Sequence, residues 1–180
     1  MKNSRPVYYM QTDSKWAGLD YSAKGEHTTI GRAGCGPTCA AMVIATWKDK
    51  NITPPKTASW ALKHGYKAAG QGTYYSYFTP QGKVYGIDVK MLNSVNLRTM
   101  DKTKRKEYDQ KARAAVKTGN LVIACMGPGL WTHGGHYILW YGMDEEHVLI
   151  NDPASKSPER LKAPWKTFRD QVKYYFLCKK

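Results

Sequence analysis

The chain is poor in acidic residues, and its apolar runs are short. It carries 14 Asp and Glu against 28 Lys and Arg in 180 residues, a formal net charge of +14. No apolar stretch approaches the roughly 20 residues of a membrane-spanning helix, and the N-terminus lacks the apolar core of a secretory signal peptide. We therefore expect a protein that is cytoplasmic as written, that reaches the cell wall by another route such as phage release, or that is a domain excised from a larger secreted protein.

The sequence also lacks the features that indicate metal sites or several domains. Its four cysteines do not have the spacing of a zinc site and are expected to be free thiols: Cys35, Cys39, Cys125 and Cys178. The last three lie among apolar or aromatic neighbours, which is typical of core residues. Internal repeats, linkers and low-complexity tracts are absent. These absences predict a single domain over residues 1–180, with no cofactor and no metal.

The excess of positive charge predicts attraction to polyanions. Nucleic acid is one candidate, and anionic cell-wall polymers such as teichoic acids are another. The dense basic segment, residues 102–117, is typical of a solvated helix face. Its start, Lys102–Lys106, raises the alternative of a nucleic-acid-binding protein, but no nucleic-acid-binding motif accompanies it. Nucleic acid is therefore the disfavoured partner.

Residues 34–39 read Gly-Cys-Gly-Pro-Thr-Cys and run into the apolar segment 40–45. That segment is apolar on every side, which predicts a buried helix, and Pro37 suits its first turn. Cys35 would then lie at the helix N-terminus, where unpaired N–H groups and the macrodipole favour a thiolate. The motif fits a rigidly presented nucleophile, and taken alone it fits a small structural residue in a turn equally well.

Helical patterns dominate the first part of the chain and strand patterns the second, which predicts an α+β fold. We expect helices at residues 36–48, 56–64, 103–117 and 165–172. We expect strands or extended segments at residues 6–11, 121–126, 137–141, 147–151 and 173–178. We expect a loop at residues 12–34, and a surface loop or helix start at the tyrosine-rich residues 70–86.

Residues 142–146 lie between two apolar runs and are predicted to form a five-residue hairpin loop. Pairing across this loop places His136 directly opposite Asp152, with Cβ atoms about 5 Å apart. A carboxylate beside an imidazole fixes its tautomer and stabilises its protonated form. Each residue alone could instead have a structural role, the histidine at a strand end and the aspartate in a turn.

An early cysteine followed by a late histidine and aspartate is the chain order expected of a Cys-His-Asp hydrolase. The tetrahedral intermediate in such an enzyme needs two hydrogen-bond donors for its oxyanion. The backbone N–H of Cys35 can supply one, and the side-chain amide of Gln11 could supply the other. By its position alone, Gln11 would more simply be a surface glutamine.

Four short motifs occur along the chain: Tyr9-Met-Gln11 with Trp16, Gly34-Cys-Gly-Pro-Thr38, Gly134-Gly-His-Tyr-Ile138 and Asn151-Asp-Pro153. Together they resemble the C39-like peptidases, which are papain-like cysteine peptidases of bacteria and phages. The stretch from Val122 to His136 is similar to stand-alone members from Gram-positive bacteria and their phages. The resemblance covers nearly the whole chain, and its specificity lies in the combination of the motifs.

The resemblance implies a papain-like fold, in which the nucleophile begins a buried helix packed on an antiparallel sheet that carries the histidine and the aspartate. It implies one C39-like peptidase domain over the whole chain. The roles it implies are nucleophile for Cys35, general base and acid for His136, orienting group for Asp152 and oxyanion-hole donor for Gln11. His133 is a weaker candidate for the base and is expected to line the cleft.

The resemblance and the charge together lead to the hypothesis of a cysteine hydrolase that cleaves bacterial cell-wall peptide, as a lysin does. The family branch fused to ABC transporters is disfavoured, because the sequence contains no transmembrane segment and no nucleotide-binding motif. Three alternatives stay open: a protease for a leader peptide, a toxin-like protease for a target protein, and a non-catalytic wall-binding module on the same fold.

Overall fold

Six antiparallel strands form one sheet in the computed structural model, which describes residues 4–180. The strands are β1 (Asp88–Met91), β2 (Leu121–Met126), β3 (His136–Asp144), β4 (His147–Asn151), β5 (Lys162–Pro164) and β6 (Val172–Lys179). Their order across the sheet is β1-β6-β2-β3-β4-β5, and every neighbouring pair is antiparallel. Strand β2 is buried along its whole length, because packed side chains cover both faces of the sheet there.

Seven helices accompany the sheet in the described part of the chain. They are α1 (Ile30–Ala33), α2 (Cys35–Trp47), α3 (Pro54–Lys63), α4 (Phe78–Val84), α5 (Lys102–Lys117), α6 (Pro158–Leu161) and α7 (Trp165–Gln171). Helix α2 is buried from Gly36 to Ala45, as expected for a helix that is apolar on every side. Helix α5 begins after Asp101, whose side chain accepts a hydrogen bond from the N–H of Lys104 at 2.9 Å.

The sheet separates two apolar cores. On one face, α2 packs against alternate residues of the central strands, among them Ile123, Cys125 and Phe176. On the other face, α5 and α7 pack against the intervening residues, such as Val122 and Ala124. This alternation follows the two-residue period of side chains along a strand. The N-terminus of α2 is thereby held against the sheet near the start of β3.

The expected α+β fold, with a buried helix on an antiparallel sheet, is confirmed. Helices α2 and α5 each begin one residue before the predicted position, and β2 covers the predicted residues. The predicted C-terminal helix and strand form as α7 and β6. Among residues 4–180, no helix has both the length and the apolar character needed to cross a membrane.

Some local expectations are wrong. Helix α3 begins at Pro54 rather than at residue 56, because proline fits the first turn of a helix. For residues 70–86 the expected helix start is confirmed, because α4 begins at Phe78, but Tyr77 before it is fully buried in the core beside α2. The predicted loop 12–34 contains the short helix α1. The expected extended segment at residues 6–11 belongs to no strand of the sheet.

The β3–β4 hairpin differs from the prediction in both turn and register. Its turn contains two residues instead of five, and the first of them, Glu145, adopts a φ of 55°. Gly142 had the character of a loop residue, but it lies inside β3 and belongs to the ladder. A bulge beside Gly142 then shifts the pairing by one residue. His136 is therefore not directly opposite Asp152, contrary to the expectation.

The basic segment at the start of α5 is exposed, as expected, except for one side chain. Arg105 is buried and forms an ion pair with Asp109 at 3.0 Å. The hydroxyl of Tyr175 donates to the same carboxylate at 2.6 Å. Arg105 therefore belongs to a buried network that joins α5 to β6, and it does not contribute to a basic surface.

Candidate active site

Cys35 is the first residue of α2, and its side chain is partly exposed whereas the helix behind it is buried. The N–H groups of a first helical turn have no partner within the helix, so the N–H of Cys35 is free of the ladder of α2. Gly36 follows and packs closely on the next loop, since a Cβ atom built on it would lie 2.9 Å from Oγ1 of Thr73. The local sequence thus presents a thiol at a fixed helix N-terminus.

His136 and Asp152 meet beside this thiol. His136 is the first residue of β3, and Asp152 comes directly after the last residue of β4. The Nε2 atom of His136 donates to Oδ1 of Asp152 at 2.7 Å, and the same ring forms a hydrogen bond with Cys35. Since Nε2 faces the carboxylate, Nδ1 is the ring nitrogen that faces the sulfur. The fold therefore brings together three of the four site residues predicted from the sequence.

The electrostatics of the pair favour a thiolate and an imidazolium. Burial alone would raise the pKa of Cys35, but the positive charge of His136, a hydrogen bond from its ring and the N–H groups of Tyr137 and Gly36 lower it below the ordinary value of 9.0. Burial alone would lower the pKa of His136, but the charge of Cys35 and the bond to Asp152 raise it to about 10. Such a pair can attack a carbonyl carbon and then protonate a leaving group.

The carboxylate of Asp152 is fully buried. Its Oδ1 also accepts a hydrogen bond from the N–H of Ala154 at 2.8 Å, whereas its Oδ2 has no hydrogen-bond partner among residues 4–180. The Nη1 atom of Arg160 lies 3.9 Å from Oδ2, and the hydroxyl of Tyr8 donates to the backbone carbonyl of Asp152 at 2.6 Å. Neither neighbour could be predicted from the sequence, because Arg160 and Tyr8 lie in segments without a motif that relates them to Asp152.

Gln11 is buried, with 4% of its surface exposed. Its N–H donates to the carbonyl of Pro153 at 2.8 Å, which ties it to the residue after Asp152. Its Nε2 donates to the carbonyl of Gly31 at 3.1 Å, in the short helix that leads into Cys35. Its Oε1 has no hydrogen-bond partner among the described residues. Gln11 is therefore not a surface glutamine, although it does not line the cleft that opens at Cys35.

A cleft of about 420 Å³ opens at Cys35 and His136. Its other walls are formed by Ala68, Gln71, Gly72, Thr73, Tyr74, Tyr75, Cys125, Gly135, Tyr137 and Lys173. The loop wall is anchored at Thr73, whose carbonyl accepts a hydrogen bond from the hydroxyl of Tyr137 at 2.8 Å. The hydroxyl groups of Thr73 and Tyr21 lie 2.5 Å apart and are also hydrogen-bonded. The wall is thus tied to the residue that follows His136.

A buried lysine fixes the same wall from behind. The ammonium group of Lys67 donates to the carbonyls of Ala68 and Gln71 at 2.7 and 2.6 Å. It also forms an ion pair with Glu26 at 2.8 Å. The hydrogen bond from Lys67, with two backbone N–H donors, lowers the pKa of Glu26 to about 2, so this carboxylate keeps its charge. No motif in the sequence pointed to this pair.

The other candidates lie apart from the reactive pair or are inert. His133 is exposed and does not line the cleft, contrary to the expectation, because the chain enters the cleft only at Gly135. All four cysteines are free, as expected. Burial raises the pKa of Cys39 well above the ordinary value and raises that of Cys125 and of Cys178 to about 12. Within residues 4–180, no group of three His, Cys, Asp or Glu side chains could hold a metal ion.

Comparison with known proteins identifies a family and a shared fold. The sequence profile of the Peptidase_C39 like family matches residues 6–177. No curated protein matches the sequence. Among solved structures, a protein from Bacillus anthracis described as C39-like peptidase is 17% identical, with a TM-score of 0.55, and the alignment covers 82% of this chain and 88% of the other.

Two further solved structures are similar over most of their length. A double glycine motif protease from an AMS/PCAT transporter, in complex with the leader peptide, is 15% identical with a TM-score of 0.58, over 100% of this chain and 99% of the other. The peptidase domain of Streptococcus ComA, a bifunctional ABC transporter in a quorum-sensing pathway, is 15% identical with a TM-score of 0.51, over 88% and 97%. At these identities the likeness shows a shared fold. With the family profile matched over nearly its whole length, the chain belongs to the Peptidase_C39 like family and is a cysteine peptidase.

Proposed function

We propose that the chain hydrolyses peptide bonds with Cys35 as the nucleophile, His136 as the general acid and base, and Asp152 as the group that orients the imidazole. One observation carries the proposal: a partly exposed thiol contacts a histidine ring whose other nitrogen is bonded at 2.7 Å to a buried carboxylate. The lowered pKa of Cys35 and the raised pKa of His136 support a charged pair at neutral pH. A purely structural cysteine would not need to open into a cleft.

In the proposed reaction, the Cys35 thiolate attacks the carbonyl carbon of the scissile bond and the carbonyl oxygen becomes an oxyanion. His136 gives its proton to the amide nitrogen, the C–N bond breaks, and the amine leaves a thioester on Cys35. Water then adds to the thioester while His136 accepts one of its protons. The C–S bond breaks, the carboxylic acid leaves, and the thiolate and imidazolium are restored.

The oxyanion would be held by the N–H of Cys35 and the side-chain amide of Gln11. The N–H of Cys35 supports this role because it opens a helix and lies at the positive end of its dipole. The amide of Gln11 supports it because it is buried and bonded to Gly31, four residues before Cys35. An amide nitrogen has two hydrogens, so one bond to Gly31 leaves a second hydrogen to donate.

As substrate we propose peptide of the bacterial cell wall, which the chain would cut as a lysin does. The net charge of +14 supports this substrate, because it attracts the protein to the anionic polymers of the wall. Surface charge promotes association with the wall, so it would raise the local concentration of the enzyme there. It would not determine which bond is cut.

The test is the release of new amino groups from purified Gram-positive cell walls under reducing conditions. We expect release by the wild type and none by Cys35→Ala, with the fold of the variant intact. Cys178→Ala is the matched control, since it removes a buried thiol outside the cleft. Release by Cys35→Ala would overturn the mechanism. Wall binding by the wild type without release would favour a non-catalytic wall-binding module.

A leader peptide is the second candidate substrate. The observation that favours it is the likeness, over this whole chain, to a protease whose structure contains a leader peptide. If the walls are not cut while Cys35 still reacts rapidly with iodoacetamide, peptides with a double glycine motif are the next substrates to assay. Cleavage by the wild type and not by Cys35→Ala would then assign the activity to peptide processing.

A further inference from the structure

Lys173 reaches the active-site cleft because β6 carries a bulge at this residue. On β2, Cys125 pairs with Tyr174, while its neighbour Met126 pairs with Val172. Lys173 is therefore the extra residue, without a partner on β2. A bulge of this kind changes the direction in which a side chain points, and bulges are over-represented next to active sites.

The two faces of β6 show what the bulge changes. Tyr174 packs on the α2 side of the sheet, and Tyr175 lies in the core on the α5 side. Unbroken alternation would turn Lys173 toward the α5 side and Val172 toward the α2 side. Val172 lies instead in the α5-side core, and Lys173 lines the cleft. The bulge thus moves a cation out of an apolar core and into the cleft.

Two glycines leave room for this side chain. The Cγ atom of Lys173 lies 3.3 Å from the position that a Cβ of Gly127 would occupy. Its Nζ lies 3.4 Å from the corresponding position at Gly135, the residue before His136. The backbone is fixed as well, because Nδ2 of the buried Asn93 donates to the carbonyl of Lys173 at 2.9 Å. The ammonium group therefore lies in the cleft at Gly135, the residue before His136.

In the part of the chain that the structure describes, the ammonium group of Lys173 has no counterion. Among residues 4–180, Lys173 forms no ion pair, whereas the buried Lys67 has a carboxylate at 2.8 Å. A cation that is held in a concave site and has no protein partner is suited to bind an anionic group of a ligand. The anion that a peptide offers is a carboxylate.

We propose that Lys173 is a carboxylate-binding group of the cleft and makes the peptidase prefer substrates with a carboxylate near the scissile bond. The carboxylate belongs either to an acidic side chain or to a chain terminus. This inference rests on the proposed function, since it names a substrate feature of that same site. It differs from the effect of the overall charge, because it depends on one lysine.

The first test needs no known substrate. Iodoacetate and iodoacetamide alkylate the same thiolate, and only the first carries a carboxylate. We expect Lys173→Met to lower the iodoacetate-to-iodoacetamide rate ratio at Cys35 about fivefold or more, as the loss of one nearby charge predicts. Lys173→Arg should keep most of the ratio. Lys50→Met is the matched control, because the exposed Lys50 lies beyond the opposite end of α2, about 20 Å from Cys35.

The second test uses internally quenched peptides in pairs that differ by Glu against Gln at one position, and further pairs with a free or an amidated C-terminus. In one of these pairs, we expect the wild type and Lys50→Met to cut the peptide with the carboxylate at a higher kcat/KM than the matching amide peptide. Lys173→Met should lose this difference. The pair that shows the preference identifies the source of the carboxylate.

The outcomes separate the inference from the proposed function. If the alkylation ratio is unchanged in Lys173→Met, or falls equally in Lys50→Met, the carboxylate site is overturned even when peptides are cut. If no peptide is cut but the alkylation ratio depends on Lys173 alone, the carboxylate site stands and the proposed function fails. Circular dichroism of each variant checks the fold, and Lys173→Arg keeps the test valid should Lys173→Met fail to fold.

Discussion

The Nε2 atom of His136 lies 2.7 Å from Oδ1 of Asp152, although the strands that lead to these residues do not set them opposite each other. Leu139 pairs with Asn151, so the same register continued would bring Ala154 across from His136. Asp152 is instead a diagonal neighbour on the same face of the sheet. Side chains can bridge such a diagonal, so the hydrogen bond needs no direct backbone pairing.

The bulge at Tyr141 is what puts the two residues on one face. Next to the turn, Asp144 pairs with His147. Continued without a shift, that register would turn Asp152 to the face opposite His136, because side chains alternate along a strand. The extra residue in β3 shifts the pairing by one and restores the shared face.

We expect Asp152→Asn to lower kcat/KM by up to about 10⁴-fold, the cost of the same change in a Ser-His-Asp triad. The amide carries no negative charge, so the pKa of His136, about 10 in the wild type, falls. His136 must be protonated to stabilise the thiolate and to protonate the leaving amine. The alkaline limb of the rate profile therefore moves to lower pH. Profiles of kcat/KM between about pH 5 and pH 11 test this, and an unmoved alkaline limb would contradict it.

Much of the site could be predicted from the sequence because its parts have strong local signals. The apolar run after residues 34–39 strongly favours a buried helix, and this helix begins at Cys35. The predicted pairing of His136 with Asp152 came from a register that is wrong by two residues. Because side chains alternate with a period of two, an error of two residues leaves the same side chains on the same face.

The parts that could not be predicted depend on contacts between distant segments or on irregular backbone. Gly142 indicated a loop, but it lies in strand β3. The two-residue turn contains no glycine, and Glu145 adopts the left-handed conformation that glycine usually adopts in such turns. The position of Arg160 near Asp152 and the direction of Lys173 follow from tertiary packing and a bulge. Neither has a periodic pattern in the sequence.

The turn offers a test of stability. We expect Glu145→Asn to raise the free energy of unfolding by about 0.5–1 kcal/mol, because asparagine adopts the left-handed conformation at a lower cost than glutamate. The measurement is urea denaturation. Glu107→Asn, on the exposed face of α5, is the control and should lower stability by a few tenths of a kcal/mol, since asparagine is the weaker helix former. Equal effects at both positions would contradict the account of the turn.

The four cysteines should differ sharply in reactivity. The pKa of Cys35 is lowered, whereas burial raises the pKa of the other three. A thiolate reacts and a thiol does not, so alkylation of Cys35 should persist at pH values where an ordinary thiol is protonated. We expect iodoacetamide to label Cys35 alone in the native protein at about pH 6, as read by peptide mass spectrometry. Labelling of Cys39 before Cys35 would contradict the assignment of the nucleophile.

Gly36 lets the helix carrying Cys35 approach the cleft wall. A Cβ atom at this position would lie 2.9 Å from both Cβ and Oγ1 of Thr73. Thr73 cannot easily move away from this atom, because its hydroxyl is hydrogen-bonded to Tyr21 and its carbonyl to Tyr137. We therefore expect Gly36→Ala to lower the free energy of unfolding by about 1–3 kcal/mol, the usual cost of overpacking.

Activity should fall further than stability alone explains in Gly36→Ala. Tyr137 follows His136, so a displaced Thr73 would disturb the spacing between the imidazole and the thiol, and small misplacements of reacting groups cost large factors in rate. We expect a fall in kcat/KM of about tenfold or more at a temperature where the variant is fully folded. Gly18→Ala is the control, because a Cβ there meets no atom within 4 Å and should change neither quantity. Full activity in a folded Gly36→Ala protein would mean that the wall does not position the reactive pair.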